Sequence, residues 1–326
     1  MKRLMKKMFK IFMPIIDFVG LPIVMLGGLY LKAVRRAGMK RMPLSRQTLI
    51  GMGIFPIRDH YYEPLFNPKY LTHSLRDDRD IPGIDFNKRG QLELLRSFHY
   101  AEELMKFPME NTGDETVYYY NNDSYGLGDA EFLYSMIRKF KPHNIIEIGS
   151  GNSTLIAIEA VKKNKEEDAG YTCKHKCIEP YEMKWLENCE VEVIRKKLQD
   201  VDMNLFSSLG ADDILFIDSS HIIRPQGDVV IEYLNILPIL HKGVIVHIHD
   251  IFTPQDYCDE WVYEDVRFWN EQYMLEAFLS CNKEFEILAM VNYLKNKHFS
   301  LLAEKCPILG KNPEHEACAF WMRKVE

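Results

Sequence analysis

The 326-residue chain lacks internal repeats and low-complexity segments, and it has no excess of positive charge after residue 41. Residues 1–41 contain ten of the 41 Lys and Arg residues but only one of the 47 acidic residues, so their net charge is +9 and that of the remainder is −15. Because 47% of the residues are hydrophobic, the chain can bury a large core, which excludes collagen-like and disordered classes. An acidic body is unsuited to phosphate backbones, so we expect no nucleic-acid partner.

Charge is nearly absent between Ile11 and Leu31, where Asp17 is the single charged residue in a stretch long enough to span a membrane. Pro14 and Pro22 interrupt this stretch, and Lys and Arg clusters flank both of its ends, which the positive-inside rule assigns to one side. We therefore expect residues 1–42 to form a membrane-associating segment that turns near Pro22 or lies in the interface. The protein would then be peripheral or monotopic on the cytoplasmic side. A single span is an alternative, as is a hydrophobic hairpin packed on the body or buried in a homo-oligomer.

The rest of the chain is predicted to contain a helical cap and connector over residues 43–120 and a larger domain over residues 121–326. In that domain strand patterns alternate with helix patterns, which is typical of an α/β fold with a parallel sheet covered on both faces. Strands are predicted at residues 144–148, 172–178, 190–194, 214–217 and 244–248, and helices at 90–107, 129–140 with Asp129 as N-cap, 153–163, 182–188, 229–240 and 269–280. Two further strands, at 284–291 and 317–324 with no helix between them, predict an antiparallel edge pair.

Glycine and carboxylate side chains mark the ends of the first three predicted strands. The first strand ends in the sequence E-I-G-S-G at residues 147–151, and glycines at that position let a ligand approach the backbone. The second strand ends at Glu179, whose carboxylate can accept hydrogen bonds from two ribose hydroxyls. Gln199 and Asp200 follow the third strand. The set favours a nucleoside-containing cofactor, although the glycines could merely close a tight turn in a domain that binds none.

This combination resembles the class I S-adenosylmethionine-dependent methyltransferases over roughly residues 120–326. The resemblance implies a Rossmann-like sheet with S-adenosyl-L-methionine as cofactor. In that family the glycine-rich loop passes the methionine end, the acid after the second strand holds the ribose, and residues after the third strand lie near the adenine. The implied cofactor-binding residues are Glu147, Gly149, Ser150, Gly151, Glu179, Gln199 and Asp200.

A second group of polar residues follows the fourth and fifth strands. The fourth strand ends at Asp218, with His221 three residues later, and the fifth ends in His249 and Asp250. On adjacent strands these side chains would meet at one place, and such a carboxylate cluster needs a cation. We predict a divalent metal, Mg²⁺ or Mn²⁺, held by Asp218, His249 and Asp250, and catalysis by Asp218 with His221 as general base. Alternatively, Asp218 caps a helix, His221 is a hydrogen-bonded loop residue, and His249 only orients Asp250.

The Asp-x-x-His spacing is similar to that of the metal-dependent sugar O-methyltransferases of macrolide biosynthesis and, more distantly, to catechol O-methyltransferase. In the sugar enzymes the aspartate binds metal and the histidine is the base. The chain departs from their pattern at His249, which favours a softer ion than Mg²⁺. It also resembles bacterial methyltransferases that accompany surface-polysaccharide genes. Downstream side chains suited either to sugar binding or to the core are Trp261, Trp269, Glu271, Gln272 and Tyr273.

From these patterns we predict an O-methyltransferase that acts on a sugar hydroxyl of a lipid-linked or cell-surface glycan at a membrane. The alternatives are a metal-independent methyltransferase for a phenol, lipid or protein, and a non-catalytic cofactor-binding partner protein at the membrane. His247 alternates with His249 inside an apolar strand and is interpreted as a core residue. We give the same interpretation to Cys173, His175 and Cys177, which alternate along one strand face.

Overall fold

The computed structural model describes residues 2–54, 62, 64–181 and 183–326. The chain divides into two compact units with a boundary between Thr72 and His73. Residues 55–61 and 63, which belong to the predicted cap, lie outside the described residues, as does residue 182 at the start of a predicted helix. Each unit is described by itself below.

The first unit contains one long apolar helix, α1 (Lys2–Ala37), followed by α2 (Pro43–Gly51). Helix α1 continues through Pro14 and Pro22, so the expected turn near Pro22 is wrong. A proline removes one backbone donor, and a long helix of Leu, Ile and Met residues can continue across such a position. The most apolar 18-residue window of the segment Phe12–Ala37 has a mean hydropathy of 1.9, and none of that window is buried. At 1.5 Å per residue it is about 39 Å long, sufficient to cross a membrane.

The second unit is built on a mixed sheet. Its strands are β1 (Asn144–Ile148), β2 (Lys174–Ile178), β3 (Glu192–Ile194), β4 (Ile214–Ile217), β5 (Ile245–Ile248), β6 (Phe285–Met290) and β7 (Phe320–Lys324). Their order is β3-β2-β1-β4-β5-β7-β6, with β7 antiparallel to both of its neighbours and the other pairs parallel. The predicted α/β Rossmann-like fold and its antiparallel edge pair are confirmed.

Helices cover both faces of this sheet. They are α3 (Lys88–Arg96), α4 (Ala101–Leu104), α5 (Asp129–Phe140), α6 (Asn152–Glu167), α7 (Asp228–Ile231), α8 (Glu271–Leu279), α9 (Val291–Lys305) and α10 (Pro307–Lys311). The expectation of no helix between the last two strands is wrong, because α9 and α10 lie there. The backbone of α9 kinks at His298, whose φ and ψ are −137° and 35°. The apolar residues of α9 therefore do not keep a constant helical period along the sequence.

The single helix predicted over residues 229–240 is irregular. After α7 the chain forms a π-helical turn, Glu232–Ile236, and then a 3₁₀ turn, Leu237–Ile239, that contains Pro238. Proline lacks the N–H that a regular helix would require at this position, so the helix cannot continue unchanged. The π turn points Glu232 and Tyr233 toward the sheet, where both are buried.

Two apolar layers hold the second unit together, one on each face of the sheet. Ile145, Phe216 and Trp321 pack with α5 and α6, while Leu215 and Val246 pack on the opposite face with residues of the 229–240 segment and α8. Strands buried on both faces leave polar side chains only at their ends. The carboxyl ends of β1, β2, β4 and β5 therefore form one edge at which the polar residues collect.

His247 is a core residue, as predicted. Its ring lies 4.4 Å from the Phe216 ring and 4.5 Å from the Trp321 ring, measured between centroids. Its Nδ1 lies 3.2 Å from the carbonyl oxygen of Phe320, and its Nε2 lies 3.4 Å from the Tyr125 hydroxyl. Burial lowers the pKa of His247 to about 3, so the imidazole is neutral at physiological pH.

Candidate active site

The loop after β1 is shaped by Gly149, whose φ is +79°. A Cβ atom on this residue would lie 1.9 Å from the carbonyl oxygen of Asp218 at the end of β4, so only glycine fits. The Gly149 amide donates to the carbonyl oxygen of Ile178 at 3.0 Å, and the Asp218 amide donates to that of Ile148 at 2.8 Å. These contacts bind the ends of β1, β2 and β4 to one another around the loop.

Glu147 supports this loop from behind. Its side chain is buried and accepts a hydrogen bond from the Thr154 hydroxyl, which in turn accepts one from the Gly151 amide at 3.2 Å. Glu147 does not line the open cleft in front of the loop. Its position indicates that it holds the shape of the loop, a role that the strand-end pattern did not distinguish from ligand contact.

A cleft of about 340 Å³ lies in front of the loop, a volume in the usual range for ligand sites. Three of the predicted cofactor residues, Gly149, Glu179 and Gln199, line it, whereas Ser150, Gly151 and Asp200 do not. The Tyr181 amide donates to Glu179 at 2.9 Å, which fixes the carboxylate at the end of β2. Side chains in the lining that the sequence patterns missed are Tyr181, Lys197, Ser219, Ser220, Arg224 and Asp228.

The predicted catalytic residues are brought together at the ends of β4 and β5. Nε2 of His221 lies 3.2 Å from Asp218 Oδ1 and 3.4 Å from Asp250 Oδ2. Nδ1 of His249 lies 3.5 Å from a carboxylate oxygen of Asp218 and 3.5 Å from one of Asp250. His221 and Asp250 have φ values of +57° and +59°, and such strained left-handed conformations are concentrated at functional sites.

Glu271, at the start of α8, fixes the orientation of His221. Its Oε2 lies 2.9 Å from His221 Nδ1, and its Oε1 accepts a hydrogen bond of 3.3 Å from the Tyr233 hydroxyl. The Asn270 and Glu271 amides donate to the His221 carbonyl oxygen at 3.0 and 3.1 Å. Trp269 packs on the imidazole, with 4.4 Å between ring centroids. Glu271 was expected among residues suited to sugar binding or to the core, and its separation of 50 residues from His221 left no local pattern that predicts their pairing.

Asp129 performs the same function for His249. Its carboxylate lies 3.3 Å from His249 Nε2 and accepts the amides of Cys318, at 3.0 Å, and Ala319, at 2.8 Å. The expectation that Asp129 is the N-cap of α5 is wrong, because Gly128 occupies that position. Asp129 instead joins α5 to the residues before β7 and to the catalytic cluster.

The charges of this cluster shift the pKa values of its members in opposite directions. Burial by itself would lower the pKa of His221, but Asp218, Glu271 and Asp250 together raise it well above its usual value. For His249, burial is outweighed by Asp250 and Asp218, which also raise its pKa. Burial would raise the pKa of Asp218, but His249 and His221 hold it below the usual range. The two imidazoles thus favour ionised carboxylates at this site.

The cluster has the chemistry of a cation site. Ligand atoms from Asp218, His249 and Asp250 all lie within 4.8 Å of one another. Nδ1 of His249 is buried without a hydrogen-bond partner, while Asp129 bonds to the opposite ring nitrogen. A carboxylate behind a ligating imidazole is the usual arrangement around a bound metal. The predicted metal ligands therefore fit a divalent ion, with Asp129 as their supporting residue.

A second, larger cavity of about 680 Å³ opens on the other side of the cluster. Asp250 and His249 form its base, and its wall includes Trp261 and Arg267. The Arg267 guanidinium lies 4.8 Å from the centres of both the Trp261 and the Trp269 rings. Of the five candidate sugar-binding residues, Trp261 lines this cavity, while Gln272 is buried and bonds to the backbone of Phe252. The remaining polar lining includes Asn121, Asn122, Asp123, Ser124, Asn312, Glu314 and His315.

The chain is similar in sequence to known proteins. Residues 146–251 match a family model described as a methyltransferase domain. An uncharacterized protein of Archaeoglobus fulgidus is 32% identical over 168 residues, which are 48% of this chain and 74% of that protein.

Two solved structures are also similar to the chain, each at 12% sequence identity. The plantazolicin methyltransferase BpumL in complex with SAH has a TM-score of 0.34, covering 60% of this chain and 82% of that one. A Plasmodium falciparum protein assigned as a protein-L-isoaspartate O-methyltransferase, in complex with S-adenosyl-L-homocysteine, has a TM-score of 0.29, covering 49% and 83%.

Proposed function

The chain belongs to the same family as the Archaeoglobus protein and is an S-adenosylmethionine-dependent methyltransferase, and from this premise we propose that it methylates a hydroxyl group of a sugar. The observation that carries the proposal is the position of His221 and its carboxylates. Asp218 lines the cofactor cleft and Asp250 lines the larger cavity, so the cluster lies between the two. A methyl donor on one side and an acceptor oxygen on the other would meet at His221.

His221 has the geometry of a general base once the negative charge around it is offset. Glu271 holds Nδ1, so Nε2 is the nitrogen that faces the cluster. The uncompensated carboxylates raise the pKa of His221 and keep Nε2 protonated at neutral pH. A divalent ion on Asp218 and Asp250 would offset their charge, lower that pKa and leave Nε2 free to receive a proton. As the acceptor oxygen attacks, the oxygen–carbon bond forms, the sulfur–carbon bond of the sulfonium breaks, and the hydroxyl proton moves to Nε2. The products are a methyl ether and S-adenosylhomocysteine. A divalent ion on Asp218, His249 and Asp250 would supply Lewis acidity that lowers the pKa of a hydroxyl at this place.

The lining of the larger cavity supports a sugar as the acceptor. Its lining includes the exposed carboxylates of Asp123 and Glu314, which suit a molecule with many hydroxyl groups. Trp261, which is half-buried, adds aromatic surface against which a sugar ring can pack.

The apolar helix α1 supports a membrane location for this activity. Phe18, Val19, Ile23 and Leu26 each expose more than two thirds of their surface. Together with the basic residues at both ends, this favours attachment to the cytoplasmic side of a membrane, and hence a lipid-linked or cell-surface glycan as substrate. Deletion of residues 1–41 should move the protein from the membrane to the soluble fraction. A truncated protein that still sediments with membranes would contradict the location.

The acceptor proposal is tested by incubating the full chain with labelled S-adenosylmethionine and membrane glycolipids, followed by identification of the labelled product. We expect label as a methyl ether on sugar, dependent on added Mg²⁺ or Mn²⁺ after chelation. Label on a protein, phenol or acyl lipid would replace the sugar proposal. Undiminished transfer in the presence of a chelator would remove the metal. Folded protein that binds the cofactor but labels nothing would favour the non-catalytic alternative.

A further inference from the structure

A second group of metal-ligating side chains lies under the cofactor loop, on the face of the sheet that α6 covers. Glu147 on β1 is directly opposite Cys177 on β2, and His175 precedes Cys177 by two residues on the same face. All three residues are buried, and their ligand atoms lie within 4.8 Å of one another. The cluster is distinct from the catalytic one and shares no residue with it.

Three polar atoms of this cluster lack a hydrogen-bond partner, whereas the second oxygen of Glu147 accepts from Thr154 and Cys177. Both ring nitrogens of His175 and Oε1 of Glu147 have no hydrogen-bond partner, although the two side chains are only 3% and 1% exposed. Buried polar groups without a partner are rare in folded proteins, because burial removes their hydrogen bonds to water. His175 Nε2 and Glu147 Oε1 are 3.5 Å apart. The two groups therefore face each other without forming a hydrogen bond.

We propose that Glu147, His175 and Cys177 bind a Zn²⁺ ion or another thiophilic divalent cation. Carboxylate oxygen, imidazole nitrogen and thiolate sulfur are the donors that zinc takes in proteins. For metal–ligand bonds of about 2.0–2.3 Å, neighbouring ligands in a tetrahedron are about 3.3–3.6 Å apart. His175 Nε2 lies 3.5 Å from Glu147 Oε1, and Cys177 Sγ lies 3.6 Å from the other carboxylate oxygen, Oε2, so each donor is at such a distance from one oxygen of Glu147.

One member of the cluster borders a surface depression. This depression of about 10 Å³ lies beside α6 and is bordered by His175 and Cys173. This volume corresponds to about one water molecule. Burial, followed by the charge of Glu147, raises the pKa of the Cys177 thiol, so the ion must displace its proton on binding. The binding reaction therefore releases one proton to solvent and leaves a neutral histidine and two anionic ligands around the cation.

Occupancy of this site would affect the cofactor loop. The Glu147 oxygen that accepts from Thr154 belongs to the same carboxylate, and Thr154 holds the Gly151 amide. A cation that fixes Glu147 would reduce the freedom of the loop, so it should tighten binding of S-adenosylhomocysteine. This consequence depends on the cofactor alone and is independent of the acceptor.

The proposal is tested with Co²⁺ added to the chelated full-length protein, followed by absorption spectroscopy and by equilibrium dialysis. A tetrahedral site with a thiolate gives a sulfur-to-cobalt charge-transfer band and intense visible bands, whereas a six-coordinate site of oxygen and nitrogen ligands is nearly colourless. We expect the bands to saturate at one equivalent. Cys177→Ser should abolish the charge-transfer band and weaken this binding at least about tenfold. Cys318→Ser, a matched change beside the catalytic cluster, should leave the spectrum intact.

Absence of the band in wild-type protein, or its persistence in Cys177→Ser, would overturn the proposal. Loss of the band in Cys318→Ser alone would assign the thiolate to the catalytic cluster and would equally overturn it. If Cys177→Ser fails to fold, His175→Gln provides the test, because it removes a ligand without changing the thiol. That variant should bind S-adenosylhomocysteine with unchanged affinity in chelator and lose the tightening that Zn²⁺ gives to wild-type protein.

Discussion

The cofactor cleft and the catalytic cluster occupy the same edge of the sheet, but backbone atoms shape the cleft whereas ionisable side chains form the cluster. The cleft is shaped by backbone: Gly149 and the ends of β1 and β4 approach so closely that a single Cβ atom would not fit. The cluster is built from buried ionisable side chains, with His221 and His249 each placed between carboxylates. We therefore expect cofactor binding in the cleft to be sensitive to added side-chain volume, and methyl transfer at the cluster to be sensitive to a change of charge. Substitutions that change only volume or only charge should affect these two properties separately.

The largest effect is expected from Asp218→Asn, which keeps the volume of the side chain and removes its charge. Asp218 contacts both His221 and His249, so its loss disturbs the base and the cation site together. Methyl transfer should fall by about 1,000-fold or more. Affinity for S-adenosylhomocysteine, measured by calorimetry on the same sample, should change far less. Equal losses in both measurements would contradict the division between the two regions.

The opposite pattern is expected for Gly149→Ala, which adds volume without charge. The new Cβ atom would meet the Asp218 carbonyl oxygen in a conformation that L-residues disfavour, so the loop must move. We expect about 100-fold weaker binding of S-adenosylhomocysteine, from backbone displacement costing about 3 kcal/mol.

Gly151→Ala is the matched control for that substitution. A Cβ atom there would approach only the Met183 methyl group, at 3.8 Å. The Gly151→Ala variant should therefore fold like the wild-type protein, and its affinity for S-adenosylhomocysteine should remain within about tenfold of the wild-type value. If both alanine variants bind equally well, the backbone contact at Gly149 is not limiting.

A smaller effect on rate is expected for Glu271→Gln, since Glu271 acts through His221. Its charge contributes to the raised pKa of His221, so its removal should lower that pKa. The rate of methyl transfer should fall about 10- to 100-fold, and the acidic limb of its pH profile should move to lower pH. Tyr273→Phe, on the same helix but bonded to Asp256, should retain the wild-type profile. An unshifted limb in Glu271→Gln would mean that its role is only structural.

The smallest effect is expected on the free energy of unfolding, and it distinguishes His247 from His249 on strand β5. His249 is surrounded by carboxylates, whereas His247 lies between aromatic rings and has a pKa of about 3. Because the unfolded chain binds this proton near pH 6.5, His247 reduces stability as the pH falls below that value. The loss should reach about 2 kcal/mol at pH 5. The free energy of unfolding of His247→Gln, measured in urea, should not show this loss between pH 6.5 and pH 5. Substitution of the exposed His241 should leave the pH dependence of the wild-type protein unchanged.

Strand patterns were the most predictable part of the molecule. Strands β1, β4 and β5 are mostly apolar, and polar side chains follow β4 and β5, which is the pattern expected of strands buried on both faces. Strands β2 and β3, nearer the edge of the sheet, have the exposed or partly exposed residues Lys174, Lys176 and Glu192. Helices with irregular packing were not predictable in the same way. Helix α9 bends at His298, and the segment after α7 winds as a π-helix, so neither shows a constant apolar period.

The contacts of the candidate site also differ in how far they were predictable from the sequence. Asp218, His221, His249 and Asp250 follow adjacent strands, so their proximity was predictable from the order of the elements. The partners of the two histidines were not predictable. Asp129 lies 120 residues from His249 along the chain, and Glu271 lies 50 residues from His221. Pairs at such distances are produced by packing of helices on the sheet and have no local pattern.

By itself, the sequence determined that this protein has a Rossmann-like sheet with a glycine-shaped cofactor loop and a carboxylate–histidine edge. These features depend on short-range rules: apolar strands, the freedom of glycine and the alignment of parallel strand ends. Tertiary structure alone decided that Glu147 supports the loop from behind, next to His175 and Cys177. The physical reason is that burial and charge pairing depend on which distant surfaces meet, and only the folded chain brings those surfaces together.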